Sequence, residues 1–404
     1  MKKHLFLFGL TLGLFSINAN AQDCTGGRYA EPIFTSVEKQ LDIKYGNNLK
    51  QDGATPQDLF LDIYMPAGDV DTERPLILLA HGGSFIGGAK EDLAAQCEAF
   101  AKLGYVAVSM QYRLLAIDAS VFVDIPGSFK REVVRSIHDM KAAVRFFRKS
   151  AENGNPYGIN PDIIIVGGFS AGAILANHAT YIQRDDQIPA DLAAYYQAQG
   201  GVEGNSGNPG YNSTPQMVLS WCGAILDTNM METGMQPFFG MHTLGDQVVP
   251  NLEGEPNIGL PVPVTLQGDS LMYQRALNVG ITSFYKSYPG SEHCQFPAES
   301  SQYVVDFVHE QVCVQNLSLE NTKQILFSVY PNPAQESFFV DVPANEWEWN
   351  VSIVNMLGQT IHSDAMSSSV NRIEINSSTF DSGVYMVRLT SKDGKESVKK
   401  IIIQ

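Results

Sequence analysis

Between Phe34 and Val314 the chain alternates short β-rich runs with stretches patterned for helix, and this alternation narrows its possible folds more than any other feature. Strands separated by helices pair in parallel, and each element then buries its apolar side against a neighbouring layer. The runs fall at Leu59 to Tyr64, Leu76 to His81, Tyr105 to Gln111, Ile163 to Gly167, Met217 to Trp221, Phe238 to His242 and Thr282 to Tyr288. Several are apolar throughout, as central strands covered on both faces must be. Helices are expected over Glu91 to Lys102, Lys130 to Lys149, Ala171 to Ile182 and Gln302 to Val314. The class is α/β with a mostly parallel central sheet.

Two stretches resist this scheme, Arg184 to Pro215 and Asn251 to Asp269, both rich in Gly, Pro, Asn and Gln. They are too long for plain connections and read as a cap or rim over a site. After Gln315 the character changes to short alternating strands, with Trp347, Trp349, Val351 and Ile353 on one face, Val384 to Leu389 later, and turns at Leu357-Gly358 and Asp393-Gly394. These boundaries give an α/β domain over 22–315, a linker over 316–326 and a small C-terminal β-sandwich over 327–404.

The first 21 residues read as an export signal: Lys2 and Lys3, an apolar run from Leu5 to Ile17, and the small-residue cleavage site Ala19-Asn20-Ala21. The run is shorter than the roughly 20 residues of a membrane span, and no later one is longer, so no transmembrane anchor is expected. Cys24 follows Asp23, which does not suit lipid attachment. A net charge of −16 argues against a nucleic-acid partner. Five cysteines (Cys24, Cys97, Cys222, Cys294, Cys313) allow two disulfides with one thiol left over. None lies in a Cys-x-x-Cys pair or in zinc-like spacing with histidines, so neither a metal nor another cofactor is expected.

Gly168-Phe169-Ser170-Ala171-Gly172 follows the apolar run Ile163 to Val166 and leads into a helical segment. Small residues two either side of a serine permit a sharp strand-to-helix turn that exposes its hydroxyl. Upstream, His81-Gly82-Gly83-Ser84-Phe85 ends an early strand, where glycines let backbone N–H groups approach a reacting carbonyl. Downstream, Asp246 in Gly245-Asp246-Gln247-Val248-Val249-Pro250 and His293 in Ser291-Glu292-His293-Cys294 follow successive strands. The order Ser170, Asp246, His293 is that of nucleophile, acid and base in α/β-hydrolases. Asp227 is the alternative acid. His81 reads as a loop-shaping residue, Glu292 as a solvated rim residue, and Asp139 with Arg145 as a structural ion-pairing set.

With these residues in place, Leu59 to Pro297 resembles bacterial esterases of the α/β-hydrolase fold, near the hormone-sensitive-lipase-like and feruloyl-esterase-like groups. The resemblance rests on Leu61-Asp62-Ile63-Tyr64-Met65-Pro66, His81-Gly82-Gly83, Tyr112-Arg113 and Gly168 to Gly172 in that order. It implies a serine carboxylester hydrolase with Gly83, Ser84 and Ala171 as oxyanion-hole donors. Ser84 stands where the commonest loop has a third glycine, a change that alters no backbone donor. Tyr330-Pro331-Asn332-Pro333-Ala334, Asn355 to Gln359, Ser382-Gly383-Val384-Tyr385 and Lys399-Lys400-Ile401 resemble the C-terminal sorting domain of the type IX secretion system of Bacteroidetes. That resemblance implies the secretion machinery as a partner and a secreted or surface location. Extracellular esters, such as acetylated or feruloylated polysaccharide, lipid or polyester, are the expected substrates. A serine exopeptidase of the prolyl-oligopeptidase type and a silent binding module on the same fold are the competing readings.

Overall fold

The structure, a computed structural model, describes residues 22, 24–259, 262–314, 327–341, 349–355, 359–366, 372–391 and 396–403. The chain divides into two compact units, Met1–Leu317 and Ser318–Gln404. The expected export signal and linker lie outside the described residues, as do Trp347 and the turns at 357–358 and 393–394.

The first unit is built on eight of the strands β1 (Val37–Leu49), β2 (Pro56–Pro66), β3 (Arg74–Ala80), β4 (Val106–Met110), β5 (Ile159–Phe169), β6 (Met217–Trp221), β7 (Ala224–Ile225), β8 (Phe238–Thr243), β9 (Glu253–Gly254), β10 (Leu266–Gly268) and β11 (Ser283–Tyr288). The large sheet runs β1-β2-β4-β3-β5-β6-β8-β11. Only the pairs β1 with β2 and β2 with β4 are antiparallel. The remaining five pairs are parallel. Helices α1 (Ala94–Lys102), α2 (Ile125–Glu152), α3 (Ala171–Tyr181), α4 (Ala193–Ala198), α5 (Asp269–Asn278) and α6 (Ser301–His309) complete the unit.

The continuous apolar character of the middle strands follows from burial on both faces. In β3, Leu76 and Leu78 join α2 and α3 in one core cluster, whereas Ile77 and Leu79 join α1 and α6 in the other. All four are fully buried. Each contributes about 2 kcal/mol of apolar burial, which makes β3 and its neighbours a rigid floor for the loops at their carboxyl ends.

Several boundaries differ from those expected. Strand β1 went unforeseen because it is a solvent-facing edge strand whose alternation is broken by irregularities at Gln40/Ile43 and Lys44/Gly46. Helix α2 begins at Ile125 rather than Lys130, because the Asp124 carboxylate caps it by accepting the Gly127 N–H (3.0 Å), with Pro126 in the first turn. The expected last helix is α6 followed by a π turn over Glu310–Val314. Helix α5 was not anticipated. Asp139 and Arg145 do not pair with each other: Asp139 pairs with buried Arg113 (2.8 Å) and Arg145 with Glu203 (2.9 Å). Arg145 lies on α2, so this second pair pins the 184–215 segment to that helix.

The second unit has two antiparallel sheets around a core of its own. One comprises β12 (Ser328–Tyr330), β13 (Ser337–Asp341) and β16 (Arg372–Asn376); the other comprises β14 (Trp349–Asn355), β15 (Thr360–Met366), β17 (Gly383–Ser391) and β18 (Glu396–Ile403). Trp349, Val351 and Ile353 alternate into the core, as expected for a half-buried strand. The Asn332 side chain joins the early Pro-Asn-Pro segment to β18, donating to Lys400 O (3.0 Å) and accepting from Ile402 N–H (3.0 Å).

Candidate active site

Strand β5 ends at Phe169 and α3 begins at Ala171, leaving Ser170 alone at the turn with φ 55° and ψ −119°. A positive φ is unfavourable for a residue with a β-carbon and persists only where surroundings enforce it. Ser170 N–H donates to Trp221 O (2.9 Å), and Ile174 N–H donates to Ser170 O (2.9 Å). A β-carbon at Gly168 would strike Gly172 and Ala80 O, and one at Gly172 would strike Ala80 O and His81 O. The glycines two either side of the serine are thus required by crowding of the turn against the end of β3.

His293 Nε2 lies 2.8 Å from Ser170 Oγ, and His293 Nδ1 lies 2.7 Å from Asp246 Oδ2. This pattern assigns the Nδ1 proton to the bond with Asp246 and leaves Nε2 to accept the Ser170 hydroxyl proton. Asp246 Oδ1 accepts the N–H groups of Val248 (2.8 Å) and Val249 (3.1 Å). Burial alone would raise this carboxyl; bonds from His242, His293 and Val248 N–H instead hold it well below the usual carboxylate range. Asp227 caps a short turn through Asn229 N–H (2.9 Å) and makes no bond to His293. Glu292 is exposed.

Behind the acid lies a second pair that the sequence did not reveal. His242 Nε2 sits 3.4 Å from Asp246 Oδ2, and His242 Nδ1 sits 3.0 Å from Asp269 Oδ2. Asp269 also accepts from Ser220 Oγ (2.6 Å) and Gly223 N–H (2.9 Å). Burial would lower the His242 imidazole, but Asp246 and Asp269 push it up to about 9, while burial pushes the Asp269 carboxyl up as well, so the positive charge on His242 is favoured and the pair shares its proton tightly. The faint signal in the sequence was His242 itself, four residues before Asp246 at the end of an apolar strand. Nothing marked Asp269.

On the other side of Ser170, Gly83, Ser84 and Phe85 all have positive φ. Ile86 N–H and Gly87 N–H both donate to Gly83 O (3.0 Å each), folding the loop tightly. Tyr112 steadies it, stacked on His81 with ring centroids 4.4 Å apart and donating from its hydroxyl to His81 O (2.8 Å). The N–H groups of Gly83, Ser84 and Ala171 have no acceptor among the described residues. His81 is buried and makes no bond to Ser170 or His293; burial lowers its basicity.

Disulfides join Cys24 to Cys313 and Cys222 to Cys294, with Cys97 free and buried. The second fastens the residue after His293 to the one after β6, one strand from Ser170. A largely apolar pocket opens at Ser170. Both irregular segments reach its wall, Arg184 to Pro215 through Pro189, Leu192 and Tyr196, and Asn251 to Asp269 through Ile258, Val262 and Val264.

A mostly parallel sheet flanked by helices on both faces, with a serine on the turn after its central strand, defines the first unit as an α/β-hydrolase fold. Residues 61–205 match the family BD-FAE, an α/β-hydrolase esterase family, and residues 328–404 match the secretion system C-terminal sorting domain. The sorting domain indicates export by the type IX route to the cell surface or beyond. Among curated proteins, an endo-acting ulvan lyase of Formosa agariphila is 32% identical over 100 residues, 24% of this chain and 19% of that protein. Gut esterase 1 of Caenorhabditis briggsae is 28% identical over 126 residues, 30% of this chain and 21% of that protein. The chain thus spans about a fifth of the length of the curated relatives it matches. Among solved structures, the propionate-bound thermophilic esterase of Thermogutta terrifontis is 20% identical, with 73% of this chain and 100% of that one covered and a TM-score of 0.48. Among the described residues, no helix is long and apolar enough to cross a membrane.

Proposed function

We propose that the first unit hydrolyses carboxylic esters through an acyl-enzyme on Ser170. The observation that carries this reading is the unbroken line of hydrogen bonds from Ser170 Oγ through His293 to Asp246. His293 Nε2 takes the hydroxyl proton as Oγ bonds to the ester carbonyl carbon, and Asp246 stabilises the imidazolium that forms. The carbonyl oxygen gains negative charge and is met by the N–H groups of Gly83, Ser84 and Ala171, the last at the positive end of α3. Collapse breaks the bond to the alcohol oxygen, which receives the proton from His293. Water then repeats the sequence on the acyl-enzyme: its proton passes to His293, its oxygen bonds to the acyl carbon, and Ser170 leaves with that proton. The competing exopeptidase would need a charged group to hold a peptide terminus, yet among the described residues the only acidic or basic side chain in the pocket wall besides neutral His178 is Lys130, whose ammonium pairs with Asp191 (2.7 Å). The second unit serves as an address read by the type IX secretion machinery.

Rapid mixing with p-nitrophenyl acetate tests this function. A burst approaching one p-nitrophenol per enzyme molecule, followed by slower turnover, is the expected record of an accumulating acyl-enzyme. Absence of any hydrolysis would favour the silent binding reading.

His242 is a positioning residue in this scheme, since it touches the acid and not the reacting atoms. Its folded pKa, about 9, is above the ordinary histidine value near 6.5. The stabilisation it supplies is therefore complete below pH about 6.5 and is lost as pH rises through about 9. Thermal midpoints measured from pH 6 to 10 should fall across pH 7 to 9 more steeply for the native protein than for His242→Gln. Parallel curves would show that His242 is not held as a cation.

A further inference from the structure

We infer that the site takes esters whose acyl part is a flexible apolar chain of about six carbons or more, held in the apolar pocket while the alcohol part stays outside. This rests on the reading of Ser170 as nucleophile. Three directions leave an attacked carbonyl carbon: its oxygen, its alcohol and its acyl chain. The oxygen points to the N–H groups of Gly83, Ser84 and Ala171. The alcohol oxygen must lie at His293 Nε2, which delivers its proton. The pocket wall includes Ser84, Ser170 and Ala171 but neither His293 nor Asp246, so the direction that enters it is the acyl one. His293 itself has its side chain 22% exposed, leaving the alcohol side open to solvent.

The chemistry of the wall fixes the class of chain. It is made of side chains such as Phe129, Ile137, Ile174 and Val264, contributed by α2, α3 and the segment from Asn251 to Asp269. His178 offers no partner to a ligand, because Nδ1 bonds to Ile174 O (2.7 Å) and Nε2 accepts Leu226 N–H (3.0 Å). Burial holds that imidazole down at about 4, so it is neutral. A sugar or a charged acid placed here would lose its hydration with little in return, whereas each methylene gains by leaving water. The expected acyl group is therefore a fatty chain, and the acetyl group of an acetylated polysaccharide would leave most of the space empty.

The test compares kcat/KM for p-nitrophenyl acetate, butyrate, hexanoate and octanoate, and for methyl hexanoate against methyl ferulate. A gain of about fourfold per methylene is expected through hexanoate, on the order of 10² over acetate, the change that ~0.8 kcal/mol per buried methylene produces. Two variants check the location: Ile258→Trp fills the pocket and Val133→Asn puts an amide in its wall, and each should cut the hexanoate-to-acetate ratio at least about tenfold. A ratio near unity in the native protein, a preference for methyl ferulate, or an undiminished ratio in both variants would overturn the inference. Hydrolysis that persists in Ser170→Ala would instead overturn the serine reading on which it rests, so the two failures are separable.

Discussion

Ser170→Ala and His293→Ala are each expected to lower kcat/KM for p-nitrophenyl esters by on the order of 10⁴ to 10⁶, with far-ultraviolet circular dichroism unchanged. The two side chains meet at 2.8 Å, and in the proposed mechanism they act in one proton transfer for which neither has a substitute. The double variant should be no worse than the poorer single one, because a unit already broken cannot be broken again. Folding should survive, since the turn at Ser170 is held by its backbone bonds and by Gly168 and Gly172. A rate within tenfold of the native value for either single variant would remove that residue from the chemistry.

Asp246→Asn should cost on the order of 10⁴ in rate, while Asp227→Asn should stay within about twofold. In the proposed mechanism the Asp246 carboxylate, 2.7 Å from His293 Nδ1, fixes the His293 tautomer by accepting the Nδ1 proton. An asparagine amide can turn its NH₂ toward Nδ1 and favour the unproductive tautomer. The same change removes one of the two carboxylates beside His242, so a lower thermal midpoint should accompany the lost rate. Asp227 only accepts an N–H from Asn229, which an asparagine does equally well. Steady-state rates for the two variants side by side decide between them, and the reverse ranking would move the acid to Asp227.

What the sequence disclosed and what it withheld divide along physical lines. Ser170 could be found because its turn demands glycine at 168 and 172, and a steric demand leaves a local spelling. The central strands could be found because burial on both faces removes polar residues from consecutive positions, as at Leu76 to Ala80 in β3. Strand β1 could not, because an edge strand facing water keeps polar residues and its bulges break the period of two. His242 and Asp269 escaped for a different reason. Their partnership joins residues 27 positions apart in the chain, and it exists only once β8 and the start of α5 are packed together. Asp139 and Arg145 do take part in structural ion pairs, but their partners escaped in the same way, since each finds its opposite charge on another segment. The segment from Arg184 to Pro215 was legible as something other than a plain connection, from its length and composition. That it contributes Pro189, Leu192 and Tyr196 to an apolar pocket needed the fold.

The most direct test of the central claim is to locate the covalent intermediate. Protein quenched in acid during turnover of p-nitrophenyl butyrate, then digested and analysed by mass spectrometry, should carry one butyryl group on the peptide containing Ser170 and none on that peptide from Ser170→Ala. A butyryl group on any other residue, or full turnover with unmodified Ser170 throughout, would contradict the account.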